Sequence, residues 1–289
     1  MKRKRIKAAV CAAVMAFTLF GSLCPVDYHF MRETSVTASA EAAIWDGTED
    51  TSWYYREHDV IVSENGERIA IFNIRTAEEL AGLAKLVRNG NSMKNTMINL
   101  VSDVTLNDTT NFDNWDEQPP ANNWTAIGAV PIEAPNVNVV MTTQPECRNT
   151  VFAGMFNGNG HTISGMYSLH HNYAGLFART SGIITNVIVK DSYIQCINTQ
   201  KVESGDTALW EACAGGITAI CDRGVISHCE FDGKIFASGL NQVGYGTHGS
   251  FAGGIVGKFS DDENGVAAVV MMFALVPAGF LINPALFLT

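Results

Sequence analysis

The sequence predicts a mainly β fold made of stacked, repeated units, and three observations carry that reading. Ala174-Gly175-Leu176-Phe177 recurs as Ala214-Gly215-Gly216-Ile217 and again as Ala252-Gly253-Gly254-Ile255, at spacings of 40 and 38 residues. A second sub-motif follows in the same order, Gly182-Ile183-Ile184-Thr185-Asn186-Val187 after the first copy and Gly224-Val225-Ile226-Ser227-His228-Cys229 after the second. Recurrence of two sub-motifs in one order indicates repeated structural units. Each unit also holds short β-branched runs bounded by glycine, and such a strand cannot bury its apolar face alone. Neighbouring units therefore stack in parallel and share one core. Glycine is expected at the corners because it accepts positive φ. The matched places predict that Ile183, Val187, Ile226 and Cys229 point inward, and that Asn186 and His228 share a polar corner.

From the N-terminus, Lys2-Arg3-Lys4-Arg5, the apolar run Ala8–Phe20 and the small residues Ala38-Ser39-Ala40 read as a cleaved signal peptide over residues 1–40. An N-terminal membrane anchor is the alternative, but the apolar run is short for a span. Residues 41–91 read as an aromatic lead-in (Trp45 to Asp59), a hairpin and a capping helix. The hairpin pairs Val60–Val62 with Ile69–Ile74 across Ser63-Glu64-Asn65-Gly66. Thr76 with Glu79 forms a capping box; Leu80, Leu83, Ala84 and Val87 follow at helical spacing, and Gly90 ends the helix. Its single apolar stripe predicts a helix that closes the N-terminal end of the core.

Residues 92–265 read as the repeat region. Ile98, Leu100, Val104 and Leu106 mark short strands and Trp124–Ile127 another, with the acidic, proline-bearing loop Asn111–Ala121 between them. The polar insertion Asn198–Glu211 is expected to project from the stack, with Cys196 and Cys213 at its base as a candidate disulfide. Trp115, Trp124 and Trp210 lie in or beside polar loops, where exposed aromatics would stack on sugars or anchor a protein partner; the alternative is that Trp124 is core and the others cover loop bases. Residues 266–289 contain no charged residue and carry Pro277 and Pro284. They form an atypical apolar tail, read as the product of a truncated or frame-shifted gene, and the only segment that offers membrane contact. They are expected not to continue the repeat pattern.

The run Phe152-Ala153-Gly154-Met155-Phe156-Asn157-Gly158-Asn159-Gly160-His161-Thr162-Ile163-Ser164-Gly165-Met166, with the Ala-Gly repeats at 174, 214 and 252, resembles bacterial surface proteins carrying GLUG-motif repeats. The resemblance covers roughly Trp45 to Gly265 and includes Thr76–Leu106 and Trp124–Gly128. It implies a right-handed parallel β-helix on large, exported, adhesin-like proteins. Similar repeats accompany immunoglobulin-A-cleaving metalloproteases as a non-catalytic region.

Charge and chemistry narrow the function. The 289-residue chain carries a formal charge of −10, and −14 without residues 1–40, which argues against nucleic acid and anionic lipid as partners. There is no His-Glu-x-x-His helix, no phosphate-cradling loop and no nucleophile elbow. His170-His171 reads as a solvated loop, His161 as a turn residue, and Asp261-Asp262-Glu263 as an acidic turn. No catalytic, cofactor-binding or metal-ligating residue is assigned. The expected role is non-enzymatic: an exported, cell-surface or secreted segment that binds host or cell-wall glycan or glycoprotein. A carbohydrate-active β-helix enzyme, lyase or hydrolase, is the alternative.

Overall fold

A computed structural model describes residues 43–129, 150–198, 211–239 and 249–260, with the backbone of 269–271. These residues are mainly β. The strands β1 (Asp59–Val62) and β2 (Arg68–Ile74) form the predicted antiparallel hairpin, Ile61 opposite Ile69, closed by Ser63 N–H donating to Glu67 O at 2.9 Å. The helix α1 (Ala77–Arg88) follows at once, and β3 (Thr96–Leu100) then pairs parallel to β2, so α1 is a crossover connection.

Both ends of α1 obey local rules. Thr76 Oγ1 accepts Glu79 N–H at 3.2 Å, while Glu79 Oε2 accepts Arg75 N–H at 2.7 Å, one residue before the position of a standard capping box. At the other end Gly90, at φ +97°, donates to Val87 O and Asn91 donates to Leu86 O, the Schellman pair. Leu80, Leu83, Ala84 and Val87 are buried as predicted, the leucines each contributing ~2 kcal/mol. Glu79, Ala81 and Gly82 are buried too, which a single stripe does not explain. The lead-in lies on the helix's other side: Asp50 N–H donates to Glu78 O, Trp53 Nε1 to Glu79 O, and Arg88 Nη2 holds Glu49 at 2.7 and 2.8 Å.

Beyond α1 the strands are short and their partners distant in sequence. They are β4 (Val104–Thr105), β5 (Met155–Asn157), β6 (Thr162–Ser164), β7 (Tyr167–His170), β8 (Tyr173–Ala174), β9 (Phe177–Thr180), β10 (Ile183–Thr185) and β11 (Ile188–Asn198). After them come β12 (Ala212–Gly215), β13 (Thr218–Asp222), β14 (Val225–Ser227), β15 (Glu230–Gly239), β16 (Ser250–Gly253), β17 (Val256–Ser260) and β18 (Val269–Met271). A seven-stranded sheet runs β1-β2-β3-β5-β10-β14-β18, parallel except for β1. A five-stranded sheet runs β15-β11-β6-β4, with β7 also on β11, and two three-stranded sheets run β16-β12-β8 and β17-β13-β9. One hydrophobic cluster draws on all four sheets and on α1, from Ile74 and Leu83 through Phe156, Val189 and Phe177 to Ala214 and Ile226.

The repeat alignment appears as strand register. Ala214 pairs with Ala174 on one side and Ala252 on the other, and Ile184 pairs with Ile226. That register corrects one inward residue: Ile184, fully buried, faces the core, and Ile183 beside Val225 is half-buried on the outer face. A one-residue step in a strand changes face, so only one of the pair can point in. Val187 and Ile226 are buried, and Cys229 packs partly buried against the same cluster. Trp124–Ile127 makes no regular strand; Ile127 contributes a single parallel bridge to Phe177. In the tail, β18 adds a parallel strand to β14, so the repeat pattern extends further than expected there. The rest of 266–289, residues 1–42, the insertion 199–210 with Trp210, and the acidic turn at 261–263 lie outside the described residues.

Positive-φ glycines occur where predicted, at Gly160 (+78°) and Gly165 (+71°) in the leading turn, but other repeat glycines have a different reason. Asn186 and His228 themselves take the positive-φ corner, at +54° and +53°. The repeat glycines answer to close approach: a β-carbon on Gly216 would lie 2.1 Å from Gly254 O, and one on Gly182 2.0 Å from Gly154 O.

Candidate functional site

Two features converge on one side of the molecule. The first is the segment Asn107–Asn122, which folds back onto the protein. Asn107 Nδ2 donates to Asn122 O and Gly165 O, both at 2.9 Å, and its Oδ1 accepts Asn122 N–H at 2.9 Å. Asn122 Nδ2 in turn donates to Trp45 O and Leu106 O. This pair of asparagines clamps the base of the loop, and its amide donors are fully occupied.

Between the clamped loop and the lead-in lies a groove of about 600 Å³. Its walls carry Ile44, Trp45, Trp115, Pro119 and Pro120; its polar lining is Asp46, Asp108, Thr110, Asn111 and Gln118 beside the two clamp asparagines. No cationic side chain lines it. Asp46 Oδ1 accepts both Thr48 Oγ1–H and Thr48 N–H, at 2.6 and 2.9 Å, and these bonds hold its carboxyl below the ordinary 3.8. Asp108 is lowered in the same way, by the backbone and then the side chain of Thr110. These bonds favour the ionised form of both carboxylates, which can accept hydrogen bonds from a ligand. Asn111 Nδ2 donates to Gln118 Oε1 at 3.3 Å, which leaves the Gln118 amide N–H groups as donors.

The second feature is an aromatic column on the outer face of the five-stranded sheet. Trp115 meets Phe112 and Tyr167 edge-on, Tyr167 stacks on Tyr193 with ring centroids 5.6 Å apart, and Tyr193 meets Phe236 at 5.5 Å. Burial raises both tyrosine pKa values, so the phenols stay neutral. Lys234 ties the loop down by donating to Asp113 O and lying over Phe112. The column ends at Phe236, 49% exposed.

Several sequence expectations change here. Trp115 and Trp124 are 2% and 1% exposed, so neither offers a free face for stacking on a sugar. Trp124 donates Nε1 to Leu176 O within the core. His170 is a corner anchor and not a solvated residue: it is 5% exposed, and its Nδ1 accepts the N–H groups of Asn172 and Tyr173. His171 reaches Ile197 O. His161 sits in its turn as expected, with Nδ1 3.1 Å from Asp103 Oδ1. An amide ladder went unforeseen: Asn186 donates to Asn157, Asn157 to Asn99 and Asn99 to Asn73, with Thr185 and Ser227 bonded further along. Its signal was present as Phe72-Asn73, Ile98-Asn99 and Phe156-Asn157.

Among the described residues no three His, Cys, Asp or Glu side chains gather as a metal site, and no helix is long and apolar enough to cross a membrane. A second cleft, about 340 Å³ between lead-in and β2, mixes Arg56 and Arg75 with Glu57 and Asp59. Cys196, Cys213, Cys221 and Cys229 are free thiols. Cys196 packs in the main core with Ala212 and Ala214, whereas Cys213 sits in a separate cluster with Ala219 and Ile220. Burial pushes the Cys196 thiol far up, Cys213 up to about 12, and Cys221 and Cys229 up to about 11. All four should therefore resist alkylation at pH 8 in the folded protein and react once it is denatured, as read by residue-resolved mass spectrometry. Rapid labelling of any of them under native conditions would contradict the packing.

No protein-family model matches this chain, and no curated protein and no solved structure is similar enough to match it.

Proposed function

We propose that this chain is an exported, non-enzymatic surface segment that binds a neutral glycan in the groove between Asp46 and Gln118, on the scaffold of a right-handed parallel β-helix. The groove's composition carries the reading. Ionised carboxylates accept hydrogen bonds from sugar hydroxyls, an amide donates to them, Ile44, Pro119 and Pro120 offer apolar contact to the sugar's C–H surfaces, and the missing cation disfavours acidic polymers. The in-register parallel pairing of 174, 214 and 252 supports the β-helix, as does the repeated resemblance to GLUG-type surface repeats. The residues 1–40 read as an export signal support a cell-surface or secreted location.

Hydrolysis fits the groove less well. A glycosidase needs one carboxyl kept protonated near neutrality beside another that is ionised. Asp46 and Asp108 are both shifted down, so neither serves as a general acid at pH 7.

The test is calorimetric titration of the full chain with a panel of neutral and uronic-acid oligosaccharides. A neutral member should bind; Asp108→Ala should weaken it about tenfold, the worth of one hydrogen bond to a charged group, and Gln118→Ala about threefold to tenfold, the worth of a neutral one. Because both carboxyls are lowered from the ordinary 3.8, affinity should hold from neutrality through mild acid and fall in stronger acid as they protonate. Binding confined to uronic acids, or release of shortened sugars, would overturn the reading.

A further inference from the structure

We propose that β1 is a self-complementary edge through which two copies of this chain join their seven-stranded sheets across a two-fold axis. β1 is the terminal strand of that sheet and, among the described residues, pairs on one side only. All four of its residues are exposed, Val60 at 38%, Ile61 at 36% and Val62 at 63%. It carries no proline, lysine or bulge, and its protection as a free edge is limited to its four-residue length and the charge of Asp59 at one end.

Backbone parity fixes how a second strand would dock. Ser63 N–H bonds to Glu67 O, and Ile61 lies opposite Ile69 two residues along, so residues 59, 61 and 63 turn their N–H and C=O groups toward β2. Val60 and Val62 therefore present theirs to the open side. Antiparallel pairing through those groups allows a two-fold axis at Val60, Ile61 or Val62. With the axis at Ile61, Val60 faces the partner's Val62, Ile61 faces the partner's Ile61, Asp59 faces the partner's Ser63 and His58 faces the partner's Glu64. Apolar meets apolar at every central place, and no like charges are opposed. With the axis at Val60, Ile61 would face the partner's Asp59; with it at Val62, Ile61 would face the partner's Ser63 and Val60 the partner's Glu64. The palindrome Val60-Ile61-Val62 thus selects a second copy, and selects the register centred on Ile61. The join is short compared with a standard interface of about 1,600 Å², so the dimer is a weak, reversible one.

Sedimentation of the full chain over a concentration series tests this. The wild type should show a reversible monomer–dimer equilibrium. Ile61→Lys brings two lysines face to face and should raise the dissociation constant at least about tenfold with circular dichroism unchanged. A second variant reads the register independently: under mild oxidation Ile61→Cys should cross-link to a covalent dimer, whereas Val60→Cys should not exceed the wild-type background. A wild type that stays monomeric up to its solubility limit overturns the proposal. So do an association unaffected by Ile61→Lys, oligomers beyond the dimer, and cross-linking of Val60→Cys that matches that of Ile61→Cys.

Discussion

Trp115→Ala should lower the stability of the chain by about 3 kcal/mol, the lower end of the range for a buried tryptophan, because the overlying loop can partly relax into the space. Trp115 is 2% exposed and connects the groove wall to the column of Phe112, Tyr167 and Tyr193. Removing it strips the edge-on contacts at both ends, each worth about 1 kcal/mol beyond area burial. Urea unfolding followed by circular dichroism measures the loss. The same variant should release segment 107–122 from the sheet, read as faster backbone hydrogen exchange there. A tryptophan that stacked openly on sugar would behave differently: its removal would leave stability unchanged and reduce only binding. That result would favour the exposed-aromatic alternative.

Gly82→Ala should destabilise the protein by about 1–3 kcal/mol, although alanine in a helix interior is ordinarily favoured over glycine by about 1 kcal/mol. The sign reverses because a β-carbon at Gly82 would lie 1.8 Å from Asp50 O and 2.5 Å from Asp50 C, both backbone atoms. To make room, the lead-in must lift from α1. Its anchors are Asp50 N–H on Glu78 O, Trp53 Nε1 on Glu79 O, and Arg56 on the buried Glu79 carboxylate. Equilibrium unfolding gives the magnitude, and hydrogen exchange over residues 49–56 locates it. A stabilised Gly82→Ala variant would mean that the lead-in does not pack on the helix.

These two positions show how far the sequence could be read. The hairpin, α1 and its capping residues, and the pairing of 174, 214 and 252 were all legible, because turn chemistry, caps and repeats are local or self-referring signals. The second buried side of α1 was not. Gly82 and Ala81 are small and Glu79 is charged, so no hydropathy pattern marks them; only the lead-in's return across the helix explains them. The place of Trp115 was open between an exposed face and a loop base, because a polar neighbourhood in sequence says nothing about what the loop folds onto. His170 was assigned to solvent for the same reason. Its imidazole replaces a missing backbone acceptor at a corner, a role set by strands β7 and β8 together. The groove was invisible in sequence, since its lining comes from residues 44–46 and 107–122, brought together by the Asn107–Asn122 clamp. Ile183 and Ile184 show the limit of repeat alignment: two adjacent apolar residues need the register before one can be turned inward.

The most direct test of the proposed role is hydrogen exchange of the full chain with and without a saturating neutral oligosaccharide. The account predicts protection concentrated at residues 44–48 and 107–122, with the sheets unchanged and the sugar recovered intact. Protection confined to any other region, or recovery of cleaved sugar, would contradict it.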